Sequence, residues 1–310
     1  MHRKLFPYLS ALSLLACSSL QAEFNLEDAG TESYQEIDEN APKQGPFTLA
    51  ASGDWIGKSD VHGHHRGTID YNHQDAAAKA IVWYNECYKE GIQVGVSYDH
   101  ARLNWTKNPF FKKKEYNTFS TLFAFFTHRV SDWNWIASVQ YNIDADKWNF
   151  NQYSTWDLLL WGRYEHFCNV GIHAGLYAQT GMKLDRVWPV VGFDWKINHK
   201  WKLNAIFPLN VALIYTVNHN WALSIAGRFF NDRHRAGNEG FYRKALWRYT
   251  NGGVEFGVTY SAWRGHLTAN VHAGYALGGT LRISNMHNHH VHHRRFKDAP
   301  YGGGSLTFNF

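Results

Sequence analysis

Leu209 to Phe230 reads LNVALIYTVNHNWALSIAGRFF. Leu209, Val211, Leu213, Tyr215 and Val217 take alternate positions, and past a tight connection at His219 the alternation resumes with Trp221, Leu223, Ile225 and Phe229. A period of two belongs to a β-strand, whose side chains point to opposite faces in turn. The apolar set therefore shares one face, and Asn210, Thr216, Ser224 and Arg228 share the other.

The same pattern extends outward in both directions. Val191, Phe193, Trp195 and Ile197 alternate with Asp194 and Lys196; Val254, Phe256, Val258 and Tyr260 with Glu255 and Thr259; Leu267, Ala269, Val271, Ala273, Tyr275 and Leu277 with Asn270 and His272. Carried along the chain, the alternation predicts fourteen strands, near 46–56, 67–85, 91–105, 117–130, 133–144, 153–166, 169–180, 187–198, 200–207, 209–217, 220–231, 242–261, 264–284 and 300–310. Even-numbered connections are tight, at Ser131-Asp132, Cys168, His199, His219 and Trp263, whereas odd-numbered ones are mostly long. Short turns on one side and long loops on the other mark a transmembrane antiparallel β-barrel with a periplasmic N-terminus. The weakest joint is Phe207-Pro208-Leu209, tight on the outer side, so twelve strands is the alternative count. Around Asp99 to Ala101 the outward set Ile92, Val94, Val96, Tyr98 changes phase to Ala101, Leu103, Trp105, which predicts a β-bulge.

Composition agrees with a barrel. Aromatics are 16% of the 310 residues, yet mean hydropathy is −0.44. Barrels place aromatics in belts at both membrane interfaces. Trp133, Trp135, Trp201, Trp221 and Trp263 fall beside the inner turns, and Trp55, Trp105, Trp148 and Trp188 near the outer loops. No stretch approaches the roughly 18 apolar residues of a membrane helix.

The first 22 residues read as a signal peptide: His2, Arg3 and Lys4 supply charge, Leu5 to Leu15 is apolar, and Leu20-Gln21-Ala22 offers a cleavage site. The alternative is Leu14-Leu15-Ala16-Cys17, with Cys17 lipidated. Cleavage after Ala22 leaves Cys87 and Cys168, too few for a disulfide framework. Residues 23–45 form an acidic periplasmic segment, with Glu23, Glu27, Asp28, Glu32, Glu36, Asp38 and Glu39 against Lys43. The barrel proper, 46–310, is basic.

The chain ends Tyr301-Gly302-Gly303-Gly304-Ser305-Leu306-Thr307-Phe308-Asn309-Phe310, with Leu306, Phe308 and Phe310 on one face. This resembles the terminal strand of Gram-negative outer-membrane proteins. The resemblance implies that Phe310 is a signal to the barrel-assembly machinery and that the protein lies in the bacterial outer membrane. Trp188-Pro189-Val190-Val191-Gly192-Phe193 through Trp201, Phe207-Pro208 and Tyr215 to Trp221 is similar to a family of uncharacterised outer-membrane barrels that includes chlamydial ones. That likeness covers mainly residues 187–275 and implies no activity.

Three constellations are candidate sites. His62, His64 and His65 in the first outer loop and His287, His289, His290, His292 and His293 in the last should meet across the seam, where imidazoles suit a divalent transition metal such as Zn²⁺, Ni²⁺ or Cu²⁺. A polar solvated loop explains the same histidines. Lys112, Lys113, Lys114, Arg233, Arg235, Arg294, Arg295 and Lys297 form an expected basic rim toward lipopolysaccharide phosphates, sulfated host glycans or anionic solutes. Arg163, Glu165, Asp194, Lys196, Arg228, Glu255 and His272 should line the lumen. Fourteen strands fall between small filled barrels and open porins. The expected function is porin-like passive diffusion of small hydrophilic solutes, or else adhesion or envelope structure through the basic and histidine-rich loops. Neither a G-x-S-x-G elbow nor H-E-x-x-H occurs, so an enzyme is not expected, a membrane hydrolase being the residual alternative. Basic residues scattered among loops do not point to nucleic acid.

Overall fold

A computed structural model describes residues 46–310 apart from 63–66, 86–89, 131, 148, 151, 168, 184 and 209. The expected signal peptide with Cys17, the acidic segment, His64, His65, Cys87, Trp148 and Cys168 lie outside the described residues. The strands are β1 (Phe47–Asp60), β2 (Thr68–Asn85), β3 (Glu90–Trp105), β4 (Glu115–Thr127), β5 (Trp133–Asp144), β6 (Ser154–Phe167), β7 (Val170–Gly181) and β8 (Arg186–Lys196). They continue with β9 (Trp201–Phe207), β10 (Asn210–Thr216), β11 (Trp221–Arg235), β12 (Leu246–Ala262), β13 (Leu267–Ser284), β14 (His292–Phe296) and β15 (Ala299–Asn309).

Neighbours in sequence pair antiparallel all the way round, and β15 closes the ring by pairing with both β13 and β1. The result is a closed barrel of 14 staves, with β14 an added strand on the outer part of β13 that meets the end of β1 through the bridge Val61↔Phe296. Closure removes the sheet edges that would otherwise carry unpaired backbone groups into lipid. At the end that carries the tight turns, termed inner as against the outer end of the long loops, Phe47 and Phe310 exchange backbone hydrogen bonds of 3.0 Å, and Leu306 and Phe310 are exposed on the outward face.

The joint at Phe207-Pro208 is real, with a cis peptide, and it leaves β9 and β10 at 7 residues each beside neighbours of 11 and 15. The expected bulge at Asp99 to Ala101 is absent. Both ladders of β3 run unbroken through it, from Asp75↔Asp99 to His73↔Ala101 and from Asp99↔Thr118 to Ala101↔Tyr116. The strand keeps its phase, and the environment changes instead. Ala101, Leu103 and Trp105 face inward because the interior turns apolar at the outer end, where all three are buried.

The inner aromatic girdle stands as expected: Trp201, Trp221 and Trp263 are exposed, and Trp133 stacks on Trp135 at 5.1 Å. The outer one differs. Trp55 is exposed, but Trp105 is buried inside and Trp188 turns inward onto Tyr177 at 5.5 Å. Indoles that alternation places on the inner face find a partner ring there rather than the interface.

Candidate functional site: a filled lumen under a capped mouth

Each inward-facing polar side chain is set by strand phase, so the lumen lining follows from register. On the β6–β9 wall, Arg163 grips Asp194 with Nε at 2.9 Å and Nη2 at 3.0 Å from its two oxygens. His173 Nε2 approaches Asp194 at 2.7 Å, Lys202 Nζ at 3.7 Å, and Arg163 also pairs with Glu165. On the opposite wall Arg228 pairs with Asp54 and lies 3.5 Å from Glu255, His272 Nε2 is 2.8 Å from Asp54, and Tyr301 hydrogen-bonds Glu255. Arg163, Glu165, Asp194, Arg228, Glu255 and His272 thus face the barrel interior, and Lys196 shares their inward phase on β8.

Their main partners, Asp54, His173 and Lys202, share the inward phase, but which side chain meets which depends on register. Most of these groups are nearly free of solvent contact: Asp194 is 3% exposed, Lys202 2% and Asp54 5%. A charge removed from water must be paired and hydrogen-bonded to be tolerated, and both networks meet that condition. The lumen is therefore polar in composition but filled by its own side chains.

Above these networks lies a cap. Phe230–Arg235 of β11 and Leu246–Asn251 of β12 form a hairpin tongue in which nearly every residue is buried, although no β10 residue pairs beyond Gly227. One tongue face carries Phe230, Trp247 and Tyr249 into an apolar cluster with Tyr71, Leu103, Trp105, Phe110, Phe111, Tyr116, Leu281 and Phe296. Tyr71 stacks on Tyr249 at 4.6 Å, Tyr249 on Phe296 at 5.0 Å, and Tyr116 meets Trp247 edge-on at 4.9 Å. Tyr71 also donates a hydrogen bond to Asp232. Gly240, at φ +115°, brings the tongue's loop against Phe110, whose carbonyl oxygen would lie 2.6 Å from a Cβ there. On the far side Arg235 Nε donates to the Gln152 carbonyl at 2.6 Å and Lys244 Nζ to its side chain at 2.8 Å. The tongue thus bridges the β3–β4 and β5–β6 loops across the mouth.

This placement removes Arg233 and Arg235 from the expected rim: both are buried in the tongue. Lys112, Lys114, Arg295 and Lys297 are exposed at the outer end, and Lys113 and Arg294 half-buried. Lys113 Nζ reaches Asp146 at 3.0 Å and Asp144 at 3.5 Å. Partial burial pushes the Asp146 carboxyl up, but the hydrogen bond and charge of Lys113 outweigh it and hold the group below the usual carboxylate range. The first and last outer loops do meet, through the bridge Val61↔Phe296 and the hydrogen bond from His62 N to Arg295 O at 2.8 Å. Among the described residues, however, no group of three or more His, Cys, Asp or Glu is arranged to hold a metal. His287, His289, His290 and His293 are exposed, while His292 is engaged with the Tyr242 hydroxyl at 2.8 Å.

Residues 131–300 match a family model described as "Domain of unknown function (DUF6268)". An uncharacterized protein of Chlamydia pneumoniae is 24% identical over 186 residues, covering 60% of this chain and 58% of that protein. One of Chlamydia muridarum is 25% identical over 203 residues, covering 64% and 63%. The match spans about three-fifths of these relatives' length. Among solved structures, an outer membrane channel from Pseudomonas putida F1 is similar with a TM-score of 0.46 at 9% identity, covering 88% of this chain and 98% of that one. The translocator domain of the autotransporter NalP from Neisseria meningitidis is similar with a TM-score of 0.41 at 10% identity, covering 98% and 99%.

Proposed function

Because the chain belongs to the family described as "Domain of unknown function (DUF6268)", whose description carries no activity, we propose its function from its own geometry: a normally closed, gated conduit for small hydrophilic solutes in the bacterial outer membrane. The observation that carries this reading is the pairing of a polar lumen with an apolar cap. An interior lined by Arg163, Asp194, Lys202, Arg228 and Glu255 suits water and ions, whereas a purely structural barrel could fill the same space with apolar side chains. The tongue closes the outer end over the side-chain networks of the lumen, and its cluster separates them from the outer surface.

Planar-bilayer recording tests it with the full chain and with a variant in which the tongue, residues 230–251, is replaced by Asn-Gly, a two-residue hairpin turn between the paired Phe229 and Gly252. The wild type should be silent for most of the record and the variant should conduct more often, the lumen networks still narrowing the path. A wild type that is open throughout would contradict a gate, and a variant as silent as the wild type would contradict the conduit. The exposed cations Lys112, Lys114, Arg295 and Lys297 favour a second reading, adhesion to sulfated glycans at the cell surface. Under it, neutralising them abolishes heparin binding and leaves conductance unchanged.

A further inference from the structure

One charge of the lumen stands apart from the two networks. Lys79, on the inward face of β2, is 6% exposed, yet among the described residues its Nζ has no hydrogen-bond partner. Register sets it in a row that runs from β1 to β6 through Thr48, Lys79, Gly95, Leu122, Gln140 and Asp157. Gly95 is the member of this row without a side chain, and the Lys79 chain lies over it: a Cβ at Gly95 would come 2.9 Å from Lys79 Cγ. The lysine therefore lies along the wall of the barrel.

A cavity of about 10 Å³ adjoins it, lined by Ala77, Lys79, Gly95, Ser97, Leu122 and Gln140. That is room for about one water-sized particle. The lining brings an ammonium and a hydroxyl to this space and no carboxylate. Carboxylates of the same wall are engaged elsewhere. Asp75, whose charge reaches Lys79, is hydrogen-bonded by Ser52 and also meets the charge of His73. Asp99 lies 3.8 Å from His73 Nε2, and Asp157 accepts from Asn142 at 2.6 Å and Tyr177 at 3.2 Å. An ammonium taken out of water is tolerated when it is paired and hydrogen-bonded. A water molecule in the cavity would accept the hydrogen bond but bring no charge.

We propose that this cavity is a binding site for a single halide-class anion, chloride in ordinary salt, held by Lys79 Nζ with Ser97 Oγ as the second donor. A hydrogen bond from an ammonium to an anion is charge-assisted, and such bonds are the strong ones. Chloride is one atom and only slightly larger than a water molecule, and the wall that must give is the flexible Lys79 chain. Phosphate and acetate are too large for the space, and a cation is repelled by the ammonium. The site rests on the packing of the β2–β5 wall and not on the barrel conducting, so bilayer recording and the test below fail independently.

The test follows the line width of the chloride NMR signal over the full chain folded in detergent, at constant ionic strength with gluconate as the balancing anion. The wild type should broaden the signal, and bromide should reverse the broadening whereas phosphate should not. Lys79→Met replaces the ammonium by an apolar chain of similar length and should weaken the binding at least about tenfold, because a hydrogen bond to a charged group is lost. The variant barrel should keep its heat-modifiable gel migration. Equal broadening by the wild type and Lys79→Met overturns the site. Reversal by phosphate as effective as that by bromide places the anion on exposed cations such as Lys112 and Lys114, and likewise overturns it. Should Lys79→Met fail to fold, wild-type crystals grown in bromide decide. An anomalous peak within hydrogen-bond distance of Lys79 Nζ supports the site, and peaks confined to exposed lysines and arginines overturn it.

Discussion

β11 and β10 are neighbours that read alike in sequence, yet one runs 15 residues and the other 7. On β11 the face that carries Trp221, Ile225 and Phe229 to the exterior continues as Asn231, Arg233 and Arg235, all buried. Beyond the last residue paired to β10 the strand leans over the mouth, and its former lipid face looks across the lumen toward β6 and β7. On β10 there is no such continuation, and the wall is lower there. The difference shows that alternation assigns residues to faces, whereas the height of the neighbouring strand decides what each face meets.

The largest effect should come from breaking the tall side. Trp247 is fully buried between Phe111, Tyr116 and His234, so Trp247→Ala leaves a cavity in the cap and should cost about 3–5 kcal/mol. Urea unfolding of the detergent-folded barrel measures this, with Trp156→Ala on the exposed face as the comparison. The same Trp247 variant should conduct more often than the wild type. Equal costs at Trp247 and Trp156 would mean that the cap is no better packed than the lipid face.

The barrel, its strand number, the inner girdle and most lumen residues were legible because each depends on a period of two and on turn spacing, both local properties. The cap was not. Ala101, Leu103 and Trp105 carried the signal, an inward face turning apolar, but a phase change in hydrophobicity reads equally as a bulge when the interior is assumed polar throughout. Arg233 and Arg235 were misplaced for a related reason: a basic pair after a strand reads as loop, and only pairing with Arg248 and Leu246 shows that the strand continues. The partners of Asp194 come from three other strands and depend on register, which one sequence leaves open.

A smaller effect sharpens the comparison at the low wall. An arginine on the lipid face costs roughly 2–4 kcal/mol at the bilayer midplane and falls to 0–1 at the interface, so such a substitution acts as a depth gauge. Phe207→Arg, about 5 Å beyond the midplane if 7 residues at about 3.4 Å each, tilted by roughly 40°, rise roughly 18 Å of an apolar band of about 25 Å, should cost about 2 kcal/mol. Phe229→Arg, on the taller neighbour and past the last residue paired to β10, should cost less. A cost under about 1 kcal/mol at Phe207, by the same urea titration, would place the hairpin top at the interface.

The smallest effect separates the two ways the β3–β4 loop is held. Phe110 and Phe111 anchor it in the apolar cluster, while Lys113 latches it to Asp146 and Asp144 of the β5–β6 connection, with Asn117 Nδ2 adding a hydrogen bond to Asp146 at 3.4 Å. Asp146 is largely solvated, so the latch should contribute no more than about 1 kcal/mol. Its carboxyl sits below the ordinary 3.8 in the folded protein, hence the unfolded loop binds a proton more readily and the latch stabilises fully only above that value. As pH falls through the depressed pKa the carboxyl is protonated in both states and the contribution is lost. Proteolysis of the loop in the folded barrel should therefore quicken slightly between pH 5 and about pH 3 for the wild type, and not for Lys113→Met, which should already be cut at the faster rate at neutral pH. High salt should mimic the substitution, because exposed pairs are screened, and it should leave the aromatic anchoring intact. A loop released outright by Lys113→Met would mean that the latch, and not the cluster around Trp247, keeps the mouth covered.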